Sequence, residues 1–207
     1  MIKWIVFDVD GTLIETALSN ILGLQETMRN IYGHEYSKEE LQGLMGIPGD
    51  EALRKLGIKE EDIINTWTHW SNNVKKHTSY NYVFDGIKEM LLELKKKYYL
   101  GIVTSKTHSQ LEEDLKDSLL LDNFKIFICK DDTENHKPNP DPLIKLMDKA
   151  GITKDEVIYI GDALVDYEAA CAAGIKFAHC RYSENTDDIN CKIIFNRPNE
   201  IVRHFVS

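Results

Sequence analysis

The sequence predicts an α/β protein, a doubly wound parallel sheet with an α-helical segment inserted after its first strand. Three observations carry this. From residue 84 onward, short apolar runs rich in β-branched residues alternate with amphipathic helical patterns, as strands joined by crossover helices do. Residues 16–83 have helical periodicity and few strand signals. The run IVFDVDGT (5–12) passes from an apolar strand directly into two aspartates one residue apart. Carboxylates left uncompensated at the end of a core strand are costly to desolvate, so this pair demands a chemical reason.

The chain has 207 residues, enough for one medium domain with an insertion and a real core. Its 43% hydrophobic and 29% charged content is ordinary for a globular protein. A net charge of −9 argues against a basic nucleic-acid surface and gives no long-range attraction for anions. Any phosphate site must be built locally, from a metal, a lysine or helix amino termini.

Taken in order, the first strand ends in Asp8, Asp10, Gly11 and Thr12. The segments TALSNILGLQETMRNIYG, SKEELQGLMG, GDEALRKLG and EEDIINTWTHWSNNVKKH then read as helices, with Ile63, Trp67, Trp70 and Val74 on one core-facing stripe. His34, His69 and His77 have no metal-ligand spacing and read as surface or partly buried side chains. Asp85 is expected to cap a helix carrying Ile87, Met90, Leu91 and Leu94, which closes on Lys95, Lys96 and Lys97. The strand YYLGIVTS (98–105) runs out into the polar end Thr104-Ser105-Lys106, and FKIFIC (124–129) follows. The loop HKPNPDP supplies Lys137 ahead of a helix opened by Asp141 and Pro142 and stopped by Gly151. EVIYIGD (156–162) ends in Asp162, and the helix behind it carries Asp166 and runs to Gly174. IKFAHC (175–180) and CKIIF (191–195) complete the strands. The cysteines at 129, 171, 180 and 191 have neither CxxC nor zinc-ligand spacing and read as reduced thiols. The amino terminus is neither a signal peptide nor a membrane span, so the cytoplasm is the expected location.

Ligands of open parallel sheets bind at the carboxyl ends of the strands, where this sequence concentrates its polar groups. Three or more carboxylates meeting there repel each other and should bind a hard cation. Asp8 with Asp162 suits Mg2+, while Lys137 and the Thr104 hydroxyl can hold a phosphate beside it. Residues i and i+2 of an extended segment point the same way. Asp8 can therefore attack phosphorus as a carboxylate nucleophile, and Asp10 can protonate the leaving oxygen and then activate water. Gly11 lets the chain leave the strand sharply, and Thr12 is expected to fix the Asp10 carboxylate.

DVDGT after an apolar strand, VTS ending the next, KPNP, and YIGDALVDYEAACAAG resemble the four ordered motifs of the haloacid dehalogenase superfamily. The resemblance covers residues 1 to about 181. It implies a Rossmann-like core over residues 1–15 and 84–207 and a helical cap over residues 16–83, with hinges near residues 15–16 and 82–85. It implies that Asp8 is nucleophile and metal ligand, that Asp10 is the general acid/base and binds Mg2+ through its backbone carbonyl, and that Asp162 is an acidic metal ligand. Asp166 is then the outer carboxylate that holds a metal-bound water. Thr104 is the phosphate-binding hydroxyl with Ser105 beside it, and Lys137 steadies nucleophile and phosphate. Within the cap, MGIPGDEALRK resembles a segment lowered over the active site, which makes Gly46 and Arg54 candidate substrate contacts.

The expected function is a Mg2+-dependent phosphatase of a small phosphorylated metabolite, phosphoglycolate-like or a sugar phosphate, acting through an aspartyl-phosphate as a monomer or homodimer. A phosphomutase of the β-phosphoglucomutase kind is the alternative, because it uses the same intermediate. Asp10 disfavours dehalogenation, since a halide leaving group needs no proton. The complete set of catalytic side chains disfavours a non-catalytic interaction protein.

Overall fold

The computed structural model describes residues 1–45, 47–116, 118–183 and 188–206. The chain falls into two compact units, one of residues 1–14 with 83–207 and one of residues 15–82.

The larger unit begins with β1 (Trp4–Phe7), and its chain leaves through β2 (Ile14–Glu15). The smaller unit holds α1 (Ala17–Tyr32), α2 (Lys38–Gln42), α3 (Gly49–Lys55) and α4 (Glu60–Lys75). Its core gathers Ile21, Leu24 and Met28 of α1, Leu41 of α2, Leu53 of α3, and Ile63 and Trp70 of α4, with Trp67 and Val74 packed against them. The aromatic stripe expected from the sequence is therefore core packing. The indole N–H of Trp70 donates to the Asn20 carbonyl at 3.0 Å, so even its polar atom is satisfied inside.

The chain returns through β3 (Tyr82–Val83) and runs through α5 (Ile87–Leu94), β4 (Tyr99–Val103), α6 (His108–Leu115), β5 (Ile126–Ile128), α7 (Asp141–Ala150), β6 (Val157–Gly161), α8 (Leu164–Ala173), β7 (Lys176–Cys180), β8 (Ile194–Phe195) and α9 (Pro198–Val206). Asp85 is not the cap of α5: Gly86 occupies that position at φ 85°. The chain enters the helix through a left-handed turn that glycine adopts without a Cβ clash, which leaves Asp85 one residue outside.

The main sheet has the order β5-β4-β1-β6-β7-β8, and its pairings are parallel. Alternation along the strands sends Ile5, Phe7, Ile102, Ile158 and Ile160 to one face, against Ile87, Leu91 and Leu94 of α5, Leu111 of α6 and Ile201 of α9. Val6, Val103, Val157 and Tyr159 go to the other face, against Leu143 and Leu146 of α7 and Ala169 and Ala170 of α8. Buried on both sides, the strands read as continuous apolar runs. β1 is central, with β4 and β5 wound to one side of it and β6, β7 and β8 to the other. A crevice for ligand opens at the carboxyl end of such a reversal.

Candidate active site

The ladders carry each polar residue to the same edge. The Asp8 amide extends the pairing of β1 by donating to the Ile160 carbonyl at 2.9 Å, and the Thr104 amide does the same for β4 on Ile128 at 3.0 Å. Asp8 is therefore held by the backbone beside the end of β6, which delivers Asp162. Behind Asp8 the chain turns through Gly11 at φ 71°, where a Cβ would lie 2.1 Å from Asp162 Oδ2. Only glycine admits both that conformation and that approach. Gly161 allows a similar close approach to Asp166, whose Oδ2 would be 2.5 Å from an added Cβ.

Lys137 joins these elements. Its Nζ donates to Asp8 Oδ1 at 2.9 Å and to Asp166 Oδ1 at 2.6 Å. It also donates to the Tyr159 hydroxyl at 3.1 Å, and that hydroxyl lies 2.9 Å from both Asp166 Oδ1 and the Val103 carbonyl. Asp166 Oδ2 accepts the Ala163 amide at 3.2 Å in the first turn of α8. Asp8, Thr104, Lys137, Asp162 and Asp166 are all buried. Thr12 does not bond Asp10 as expected, because its hydroxyl donates to Asp162 Oδ1 at 2.9 Å. The turn at Gly11 brings the Thr12 side chain to the end of β6.

Asp10 is partnered by Lys106, whose Nζ lies 2.8 Å from Asp10 Oδ1 and 2.7 Å from Asp114 Oδ2 of α6. Its own amide donates to Thr104 Oγ1 at 3.3 Å, while Ser105 stands exposed beside it. Tyr159 and Asp114 are not among the residues singled out from the sequence, and Lys106 is named there only as a polar residue at the strand's end, without a role. Tyr159 sits mid-strand and reads as core. Arg54 belongs to the smaller unit, where its guanidinium is engaged by Asp50 at 2.7 Å and by Glu60 at 2.9 and 2.8 Å. Gly46 lies outside the described residues.

Electrostatics follow from burial and crowding. Burial, reinforced by Asp166 and Asp10, pushes the Asp8 carboxyl up to about 7 against the pull of Lys137. Burial with Asp166 and Asp8 raises Asp162 well above the carboxylate range. Burial disfavours charge on Lys137, but the carboxylates of Asp166 and Asp8 outweigh it and hold the ammonium more firmly than in water. One lysine thus faces three carboxylates. Ligand oxygens of Asp8, Asp162 and Asp166 all lie within 4.8 Å of one another. An all-oxygen, charge-surplus donor set of this size fits a hard divalent cation.

A single buried cation shared between a strand-end aspartate and a helix aspartate, beside a carboxylate cluster that fits a dication, can bind and stabilise a phosphoryl group. Comparisons with known proteins agree in kind. The sequence model for haloacid dehalogenase-like hydrolases matches residues 5–180. Pyrophosphatase PpaX of Bacillus cereus is 31% identical over 179 residues, which span 86% of this chain and 82% of that protein. The crystal structure of a haloacid dehalogenase-like family hydrolase from Streptococcus pneumoniae has a TM-score of 0.88 at 20% identity, covering 99% of this chain and 98% of that one. A predicted phosphoglycolate phosphatase from Haemophilus somnus has a TM-score of 0.84 at 20% identity, covering 98% and 97%. The two structural likenesses speak for the fold alone.

Proposed function

The chain belongs to the haloacid dehalogenase-like hydrolase family, and from that premise we propose that this phosphatase is Mg2+-dependent and cleaves a small phosphorylated compound through an aspartyl-phosphate on Asp8. The observation that carries the reading is Lys137, held 2.9 Å from Asp8 and 2.6 Å from Asp166 inside the carboxylate cluster.

In the first half-reaction an Asp8 carboxylate oxygen attacks phosphorus. The bond from phosphorus to the leaving oxygen breaks, and Asp10 gives that oxygen its proton. In the second, Asp10 takes a proton from water as the water oxygen attacks phosphorus, which releases phosphate and restores Asp8. Lys137 and the Thr104 hydroxyl neutralise and hydrogen-bond the phosphoryl oxygens, with Ser105 beside them. The side chains of Asp8 and Asp162, the backbone carbonyl of Asp10 and, through water, Asp166 would hold Mg2+. Bound there, the ion supplies positive charge at the phosphoryl oxygens and keeps Asp8 ionised. Lys106 orients the Asp10 carboxylate between the two proton transfers.

For the domains, we take residues 1–15 with 84–207 as the catalytic core and residues 16–83 as a substrate-selecting cap, to which Gly46 and Arg54 belong. Inorganic pyrophosphate is the first substrate to test, because the PpaX relative is named for it. Phosphoglycolate and sugar phosphates follow. Among the described residues no helix is long and apolar enough to cross a membrane, and the four cysteines are free thiols, which supports a cytoplasmic enzyme. The test is phosphate release from this panel with and without Mg2+. Release that depends on Mg2+ supports the reading. Interconversion of two sugar phosphates without free phosphate would favour the mutase instead, and turnover unaffected by chelation would remove the metal.

A further inference from the structure

A second group of donors gathers where β4 and β5 end. His108 opens α6, Cys129 directly follows β5, and Asp131 and Asp132 lie in the turn behind it. Ligand atoms of all four residues lie within 4.8 Å of one another. His108 Nε2 is already 2.8 Å from Asp132 Oδ2, and the His108 amide donates to Asp131 Oδ1 at 3.2 Å. Cys129 is buried, and its sulfur and the Asp132 carboxylate bond each other's backbone amides in a reciprocal turn. The turn is tied to the neighbouring loop by the Lys130 amide, which donates to the Lys106 carbonyl at 2.8 Å. Backbone bonds thus hold all four donor-bearing residues in place, so little order remains to be imposed by a ligand.

The chemistry of these donors differs from that of the cluster at Asp8. Imidazole, thiolate and two carboxylates suit a borderline-soft ion in four-coordinate geometry, whereas Mg2+ takes oxygen alone. We propose that His108, Cys129, Asp131 and Asp132 form a second metal site, which takes a divalent ion of the zinc class. Binding contracts the four donors around the ion and replaces the His108–Asp132 hydrogen bond by two bonds to metal. The imidazole binds neutral, and the thiol proton is released to solvent as the thiolate coordinates.

Co2+ is the probe, added to the full chain in excess Mg2+ so that the all-oxygen cluster is occupied. One equivalent should bind and give a near-ultraviolet thiolate-to-cobalt charge-transfer band with the visible bands of four-coordinate cobalt. Cys129→Ser should remove the charge-transfer band. His108→Ala should weaken binding by about tenfold or more. The His108 side chain is 48% exposed, so this variant keeps its fold and the test does not depend on the cysteine variant being well behaved. Asp8→Asn should leave the band in place. Absence of the band, its survival in Cys129→Ser, or unchanged affinity in His108→Ala would each overturn the site, leaving the His108–Asp132 hydrogen bond as a structural contact of the turn.

Discussion

Lys137 and Lys106 divide the work at the first strand's end. Each is held between two carboxylates, Lys137 by Asp8 and Asp166 and Lys106 by Asp10 and Asp114. The two aspartates of DVDGT therefore sit in different fields, which is the ground on which different roles are proposed for them. Asp8→Asn should lower turnover by at least about a thousandfold with an unchanged circular dichroism spectrum, since a nucleophile cannot be replaced by positioning alone. Turnover at the wild-type rate would defeat the assignment. Lys106→Met should cut kcat by about tenfold or more with KM little changed, and Lys106→Arg should recover part of it, because the loss is one of Asp10 orientation. Steady-state kinetics separate this from a substrate-binding role, in which KM would rise. Gly11→Ala combines left-handed strain with a Cβ only 2.1 Å from Asp162 Oδ2. Urea titration should show a loss of about 1–3 kcal/mol, accompanied by lost activity.

At the scale of elements, the site depends on helices and strands ending where they do. Thr107 caps α6 with its side chain, accepting from the Gln110 amide while Gln110 returns the bond. Thr107→Ala should cost about 1 kcal/mol in a denaturant titration; an unchanged midpoint would show that packing alone holds α6. Strand ends at Asp8, Thr104 and Asp162 were legible in the sequence because fully buried parallel strands stand out as apolar runs and their polar ends break them sharply. Caps were less legible. Asp85 has the chemistry of an N-cap, yet the left-handed turn at Gly86 takes that position. Thr12 was assigned to Asp10 by proximity in sequence, while the turn carries it to Asp162, 150 positions away. The His108–Cys129 grouping was invisible for the same reason: its donors come from two loops that only the pairing of β4 with β5 brings together. Tyr159 looks like one more apolar strand residue, and only the folded placement of Lys137, Asp166 and the Val103 carbonyl gives its hydroxyl partners.

Taken as a whole, the larger unit spends stability to hold like charges together. Asp8 titrates at about 7 rather than the usual 3.8, so across that window the folded chain keeps a proton that the unfolded chain has lost. The contribution of Asp8 to the stability of the metal-free protein therefore falls as pH rises from about 4 to about 7, and stays lower above it. A divalent cation favours the carboxylate and opposes that loss. Thermal melts should show Mg2+ raising Tm clearly at about pH 8 and little at about pH 5, and equal shifts at both would contradict the charge balance described here. The central claim is that Asp8 carries the phosphoryl group, and the most direct measurement is chemical. Asp10→Asn protein is mixed with Mg2+ and para-nitrophenyl phosphate, whose leaving group needs no proton, so that only breakdown of the intermediate is slowed. It is then quenched, reduced with borohydride and digested. Homoserine at position 8 in the amino-terminal peptide, absent without substrate, is the predicted result. An unmodified Asp8 in protein that still carries covalently bound phosphate after the quench, or reduction at another aspartate, would contradict it.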